Sequence, residues 1–380
     1  MIRVMVIDDS PLVRRIATDI ITADPEMTVV ATAAQAEFAL PKLDKEKPDV
    51  ITLDMEMPGM GGLEAIRSIM AVRPTPIIVL SAHAQKGAEL TLQALDLGAV
   101  DFVLKPSASL SGGLTSVAQE LTEKVKNASH IRFAAPKTPP VPPSQGLPAP
   151  RSSPAAAAGV PRPRPNWSGD TDCELVAIGT STGGPVALKT VLSMLPANLP
   201  VGVVVVQHMP PVFTKAFAER LDECCSVRVK EAENGDAILP GRVLLAPGNW
   251  HMTVSKFGSG PHVALNQNEN VNGHRPSVDV LMHSVALEYG SRALGVIMTG
   301  MGKDGARGLR ELHRRGGRVV AQDKDTSVIY GMNREVVQNG DADEVAPVEQ
   351  IADRIMDLLR SRTVWRQLSS LEPALTGNGT

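Results

Sequence analysis

The sequence predicts an α/β protein built from two doubly wound, mainly parallel sheets, and three observations predict it. First, short β-branched apolar runs alternate with segments of helical periodicity up to about residue 128, the pattern of a flavodoxin-like (βα)5 unit. Second, periodicity then gives way to proline, alanine and arginine, as in Pro139-Pro140-Val141-Pro142-Pro143 and Pro161-Arg162-Pro163-Arg164-Pro165, which cannot bury a core. Third, alternation resumes at Leu175 with continuous apolar runs suited to fully buried parallel strands, and a small antiparallel hairpin is expected beside them. The resulting boundaries are a first unit over 1–128, a flexible linker over 129–170, a second unit over 171–362 and a tail over 363–380.

Composition narrows the function classes. The 380 residues suffice for two full cores, and a net charge of −3 exerts no general pull toward nucleic acid or anionic membranes. At 3% aromatic residues the chain is poorly equipped to stack bases. No run of about 18 apolar residues is present to cross a bilayer. Met1-Ile2-Arg3-Val4 lacks the layout of a signal peptide, so a cytoplasmic protein without membrane insertion is expected. Cys173, Cys224 and Cys225 form neither a disulfide framework nor a zinc spacing.

In the first unit, strands are expected over 2–8, 27–32, 50–53, 77–80 and 100–104, with helices over 12–22, 35–43, 63–72, 87–97 and 114–125. Binding groups in such sheets gather at the carboxyl ends of the strands, and here those ends carry Asp8 and Asp9, Asp54, Ser81 and Lys105. Three carboxylates in one pocket repel each other unless a cation joins them, and all-oxygen ligation suits Mg²⁺. Asp54 can then attack a phosphoryl group, with Lys105 and the Ser81 hydroxyl binding the new phosphate oxygens. Taken singly, Asp8-Asp9 also suits a helix cap before Ser10-Pro11, and Lys105 a solvated loop charge; the pocket explains them together.

The pieces Ile7-Asp8-Asp9-Ser10, Leu53-Asp54-Met55-Glu56-Met57-Pro58, Ser81-Ala82 and Val103-Leu104-Lys105-Pro106 resemble the receiver domain of two-component response regulators. That resemblance implies that Asp54 is phosphorylated by a histidine kinase, with Asp8 and Asp9 binding Mg²⁺. It also places Phe102 at the aromatic switch position, where the absent hydroxyl leaves only packing to carry a switch.

The second unit opens with a strand over 174–178 that runs into Gly179-Thr180-Ser181-Thr182-Gly183-Gly184, after which Pro185 starts a helical pattern. A hydroxyl on such a turn stands at the sheet edge beside helix N-terminal amides, a suitable place for a nucleophile. The same residues suit a close-packing turn or a phosphate cradle, although no Walker lysine follows. The runs over 201–206 and 294–298 deliver Gln207-His208 and Thr299-Gly300-Met301-Gly302-Lys303-Asp304-Gly305 in turn. If the three strands lie side by side, Ser181, His208 and Asp304 supply nucleophile, general base and orienting carboxylate. Against this, His208 also suits a strand cap, and Asp304 a cap for the helix over 305–314. The remaining histidines are scattered without metal-ligand spacing, and the Ser-His-Asp order differs from that of α/β-hydrolases.

Residues 178–184, Val206-Gln207-His208-Met209-Pro210, Arg275-Pro276-Ser277-Val278-Asp279-Val280-Leu281 and 298–305 resemble the catalytic domain of chemotaxis protein-glutamate methylesterases, the CheB family. The resemblance implies hydrolysis of γ-glutamyl methyl esters on methyl-accepting chemotaxis receptors, deamidation of receptor glutamines, and control by the phosphorylated receiver. It implies Ser181, His208 and Asp304 as the triad, the Met301 N–H as oxyanion donor, and no cofactor for ester hydrolysis. Asn333 stands where the family usually has proline. Thr182 and Arg275 are candidates for holding the acidic receptor helix. A non-catalytic docking module and an esterase of another signalling system remain the alternatives.

Overall fold

The computed structural model describes residues 1–82, 85–105, 113–131, 171–258 and 260–360. The linker beyond residue 131, the tail over 363–380, His83-Ala84 and Pro106 lie outside the described residues.

The first unit runs β1 (Ile2–Ile7), α1 (Pro11–Thr22), β2 (Met27–Ala33), α2 (Ala36–Ala39), α3 (Leu43–Glu46), β3 (Val50–Asp54), α4 (Gly61–Val72), β4 (Ile77–Ser81), α5 (Gln85–Asp96), β5 (Asp101–Leu104) and α6 (Gly113–Ala128). Its five strands are parallel in the order β2-β1-β3-β4-β5, the flavodoxin-like arrangement expected from the sequence. The single helix expected over 35–43 is broken: α2 passes through a 3₁₀ turn at Leu40–Lys42 before α3. Pro41 sits in that turn, where it has no N–H to give to a helical ladder. At the start of α1 local chemistry agrees with the fold. Ser10 caps α1 by accepting from the Val13 N–H, with Pro11 at the first helical position.

The second unit runs β6 (Leu175–Thr180), α7 (Gly184–Met194), β7 (Gly202–Gln207), α8 (Phe213–Cys224), β8 (Arg228–Glu231), β9 (Arg242–Leu245), β10 (His251–Ser255), β11 (His262–Asn266), α9 (Val278–Tyr289), β12 (Ala293–Ile297), α10 (Ala306–Arg314), β13 (Arg318–Gln322), α11 (Met332–Gln338), β14 (Glu344–Ala346) and α12 (Val348–Arg360). Seven parallel strands lie in the order β14-β13-β12-β6-β7-β9-β8, while β10 and β11 form the separate antiparallel hairpin. The chain leaves β6 in one direction toward β7 and returns to its other side with β12. The sheet order therefore reverses at β6, where parallel α/β sheets open a crevice at their carboxyl ends. All six residues of β6 and all six of β7 are buried, because helices cover both faces of the sheet.

One hydrophobic cluster joins the two units, containing Ile66, Leu92 and Phe102 from the first together with Leu188, Phe213 and Phe217 from the second. Among the described residues no helix is long and apolar enough to cross a membrane.

In the second unit α9 packs tightly on α10, and Gly308 permits it. A Cβ there would lie 2.6 Å from the Met282 Cβ and 2.8 Å from the Asp279 carbonyl oxygen. Alanine is the better helix former by about 1 kcal/mol. Overpacking against backbone costs about 1–3 kcal/mol and wins. Gly308→Ala is therefore expected to lower the stability of the second unit, read as a lower urea midpoint with an unchanged slope.

Candidate active site

Ser181, His208 and Asp304 follow three adjacent strands, β6, β7 and β12, with β6 in the middle. The Ser181 Oγ lies 3.2 Å from His208 Nδ1, and His208 Nε2 lies 2.8 Å from Asp304 Oδ2. With Asp304 ionised, Nε2 carries the proton and Nδ1 accepts from the serine hydroxyl. The nitrogen order is thus the reverse of that in chymotrypsin-like proteases, although the chemistry is equivalent.

The strand ends are fastened by side chains. Gln207 accepts from the Thr180 hydroxyl at 2.7 Å and donates to the carbonyls of Ser181 and His208, both at 3.0 Å. One buried amide therefore ties the nucleophile turn to the strand carrying the base. Gly184 makes room for it, since a Cβ there would come within 2.0 Å of the Gln207 Oε1. On the opposite side the Ser181 N–H donates to the Thr299 carbonyl at 3.0 Å, fixing the turn to the end of β12.

Asp304 is 1% exposed and surrounded by donors. Its Oδ1 accepts from the Ser277 hydroxyl at 2.8 Å, the Asn272 side-chain amide at 2.7 Å and the Asp279 N–H at 3.2 Å. Its Oδ2 accepts from the Val278 N–H at 2.6 Å as well as from His208. Ser277 is the N-cap of α9, so the carboxylate sits on the positive end of that helix. Burial works to raise its pKa. His208, Asn272 and Ser277 outweigh burial and hold the carboxyl well below the usual carboxylate range. Asp304 is thus bound by the start of α9 rather than acting as a cap for α10, where Gly305 is the N-cap.

The Met301 N–H, expected to face an oxyanion, makes no hydrogen bond among the described residues. Thr182 is buried, and its hydroxyl donates to Asp101 at the start of β5 in the first unit. Arg275 has its guanidinium committed within the protein. Nε and Nη2 donate to the Asn249 side chain, and Nη1 to the carbonyls of Gln267 and Asn268, each at 2.7–3.1 Å. It braces the loops around the site.

Sequence reasoning missed Gln207 as a fastener, Asn272, Ser277 and His274. The His274 ring stacks on His208 with centroids 3.8 Å apart and planes 16° apart. Burial, followed by the charge of His208, pushes His274 down to about 3, while Asp304 acts in the opposite sense and Lys124 in the same one. The Asn-Gly pair at 272–273 is a turn signal that could have marked this stretch, but the contacts of Asn272 with Asp304 and of His274 with His208 leave no trace in the sequence.

The first unit holds a second cluster. Carboxylate oxygens of Asp8, Asp9 and Asp54 lie within 4.8 Å of one another. Asp8 Oδ1 accepts from the Ser10 N–H and Asp54 Oδ1 from the Glu56 N–H. The buried Oδ2 atoms of Asp8 and Asp54 face only the Lys105 ammonium, at 3.0 and 2.7 Å. Burial, with Asp8 close by, pushes the Asp54 carboxyl up despite Lys105 and the Glu56 N–H. An all-oxygen set with two inward-facing buried oxygens fits a hard divalent cation such as Mg²⁺. Ser81 faces away from this pocket: its hydroxyl accepts from Thr91 at 2.7 Å and lies by the carbonyls of Ala82 and Gly87. Phe102 stacks on Phe213 of the second unit, centroids 4.5 Å apart and planes 13° apart.

The model of the CheB methylesterase family matches residues 176–355, and that of the response regulator receiver domain matches residues 4–111. A protein-glutamate methylesterase/protein-glutamine glutaminase of Symbiobacterium thermophilum is 47% identical over 358 residues, covering 93% of this chain and 96% of its own. One of the same name from Bordetella bronchiseptica is 44% identical over 362 residues, covering 95% and 98%. The crystal structure of the Thermotoga maritima CheB methylesterase catalytic domain is 42% identical, covers 49% of this chain and 98% of its own, and gives a TM-score of 0.48.

Two outcomes are expected. Asp304→Asn keeps the shape of the site but lets the side chain donate where it must accept, which favours the wrong His208 tautomer. Phosphonylation of Ser181 by a fluorophosphonate probe should slow by about 10³–10⁴-fold, in line with the loss of an orienting carboxylate elsewhere. The second concerns pH. His274 has a folded pKa of about 3, below the 6.5 of the free side chain, so between these values the unfolded chain binds a proton that the folded chain does not. Its contribution to stability is present above pH 6.5 and declines as pH falls toward 3. The groups facing it are His208, Asp304 and Lys124. Thermal melts should fall less steeply over this range for His274→Phe than for the wild type.

Proposed function

The chain belongs to the CheB family of protein-glutamate methylesterases/protein-glutamine glutaminases, and from that premise we propose that it is a cytoplasmic, phosphorylation-activated serine hydrolase. Its substrates are glutamate γ-methyl esters and particular glutamine amides on methyl-accepting chemotaxis receptors. The observation that carries this proposal is the continuous hydrogen-bonded line Ser181–His208–Asp304 across three adjacent strand ends. Ser181 Oγ attacks the ester carbonyl carbon while His208 takes its proton, and the Met301 N–H meets the oxygen that becomes negative. His208 returns the proton to the departing methoxide, releasing methanol and leaving an acyl-serine. Water, activated by His208, then attacks that ester and frees glutamate and Ser181. Deamidation follows the same course with ammonia leaving. Asp304 stays ionised throughout and stabilises the imidazolium.

Control is assigned to the receiver. A histidine kinase phosphorylates Asp54; Asp8, Asp9 and Asp54 would hold a Mg²⁺, which would supply charge neutralisation for the incoming phosphoryl group. Lys105, already paired with Asp54, follows the new phosphate, whereas the Ser81 hydroxyl, held by Thr91 on α5, has to turn toward the rim to donate to it. The receiver lies on the catalytic rim. Asp101 accepts from Thr182, next to the nucleophile; Asn127 on α6 contacts the Met301 sulfur; and Asp96 pairs with Lys189 at 3.0 Å and with Arg220. Such packing blocks a substrate the width of a helix, and phosphorylation favours the released arrangement. Phe102 is the link: β5 carries it two residues before Leu104 and three before Lys105, and its ring meets Phe213 on α8.

Methanol release from methyl-labelled receptor membranes tests both parts. Ser181→Ala should lose about 10³-fold or more of the turnover, and near-normal release from it would sink the assignment. A small phosphoryl donor should raise release from the wild type but not from Asp54→Asn. Phe102→Ala should raise the donor-independent rate severalfold with little change in the stimulated rate; no rise would mean that the stack plays no part in holding the site closed. Retained receptor binding without any Ser181-dependent release would point to a docking role.

A further inference from the structure

The turn Val271-Asn272-Gly273-His274 touches two members of the triad. Val271 and His274 exchange both backbone hydrogen bonds, at 3.1 and 3.0 Å. Between them Asn272 has φ +53° and Gly273 φ +82°, the left-handed pair of a type I′ turn, for which Asn-Gly is the favoured sequence. The turn directs Asn272 onto Asp304 and His274 onto His208. Its position is held from below. Arg275 reaches back to Asn249, Gln267 and Asn268, the Asn249 N–H donates to the Arg275 carbonyl at 3.0 Å, and Ser277 begins α9.

The hydrogen bonds at the two nitrogens of His208 leave one motion poorly restrained. They fix the ends of the Ser181–Asp304 line, and the ring can still rock about that line, which tilts the nitrogen lone pair away from the serine proton. A flat side chain lying parallel against the ring, with centroids 3.8 Å apart, removes that motion. The His274 ring makes no hydrogen bond among the described residues, so its face is what meets His208. Remaining uncharged at neutral pH, it can lie there without repelling the imidazolium that forms during turnover.

We propose that His274 is a positioning residue for hydrolysis, stacked on His208 to hold that ring in the plane of the Ser181–His208–Asp304 line. The proposal rests on the hydrolase function assigned above. Its test compares wild type, His274→Ala and His274→Phe, full length, in two assays: fluorophosphonate labelling of Ser181, which needs no receptor, and methanol release from methylated receptor membranes. His274→Ala is expected to slow labelling and lower kcat by about ten- to a hundredfold, the scale of a mispositioned catalytic group. Its KM should stay within about twofold of the wild type, because an interaction that acts only through the base leaves substrate binding alone. His274→Phe, which keeps a flat neutral face, should recover most of the labelling rate and kcat, and it keeps the question answerable if the alanine variant unfolds. Unchanged labelling in His274→Ala overturns the proposal, as does a change confined to KM, which would put His274 on the substrate. A phenylalanine variant as slow as the alanine variant also overturns it, by showing that the imidazole nitrogens are what matter. If the wild type itself fails to label at Ser181, the hydrolase assignment falls first; if it labels and His274→Ala labels equally fast, only the positioning role falls.

Discussion

A carboxylate almost sealed from water stands at the centre of the catalytic unit, and the arrangement around it follows from what such a charge requires. Left alone in an apolar interior, Asp304 would take up a proton. It stays ionised because two backbone amides at the start of α9, the Ser277 hydroxyl, the Asn272 amide and His208 all point donors at it. That requirement sets the entry angle of α9, the position of the turn before it and the orientation of the histidine. The tight α9–α10 contact over Gly308 belongs to the same construction, since Asp279 in the first turn of α9 accepts from the Arg307 and Gly308 N–H groups of α10.

Much of this was legible along the chain because parallel sheets translate position into chemistry. A continuous β-branched run is a buried strand, and the residues at its carboxyl end stand on the rim; that rule brings Asp8, Asp54 and Lys105 together at one edge and Ser181 and His208 at another, with Asp304 seven residues past the end of β12. The rule says nothing of residues that arrive from loops. His274 lies 66 positions beyond His208 in the chain and resembled any other of the scattered histidines; only the hairpin-like turn, braced by Arg275, places it. Arg275 shows the converse case. An arginine near an active site suggests a grip on an acidic substrate, and the fold adds what the sequence does not show, that its guanidinium donates to surrounding loop carbonyls and to Asn249. Local propensity also failed once, at Pro41, where an apolar helical pattern over 35–43 is interrupted by a residue that cannot complete it.

The two units are joined by contacts of different kinds. The apolar cluster containing Phe102, Phe213 and Phe217 supplies area, whereas Asp101, Asn127 and Asp96 supply position. Asp101 serves two masters, since Lys124 lies 3.3 Å from the Asp101 Oδ1 while Thr182 holds the Oδ2. Burial works to lower the Lys124 pKa, but Asp101 and Glu120 raise it, and the ammonium also donates to the Phe102 carbonyl at 2.6 Å. The strand bearing the aromatic residue is therefore clamped on its backbone, its flank and its ring.

The contact between Asp101 and Thr182 has a thermodynamic corollary. If that contact and the receptor helix proposed as substrate cannot occupy the rim together, substrate and receiver compete for one surface, and competition is reciprocal. Whatever factor phosphorylation contributes to substrate binding, bound substrate contributes equally to the equilibrium stability of the phosphorylated receiver. A dense array of receptors would then act on this protein as an allosteric ligand as well as a supply of esters, shifting the receiver toward its released form before any kinase signal arrives.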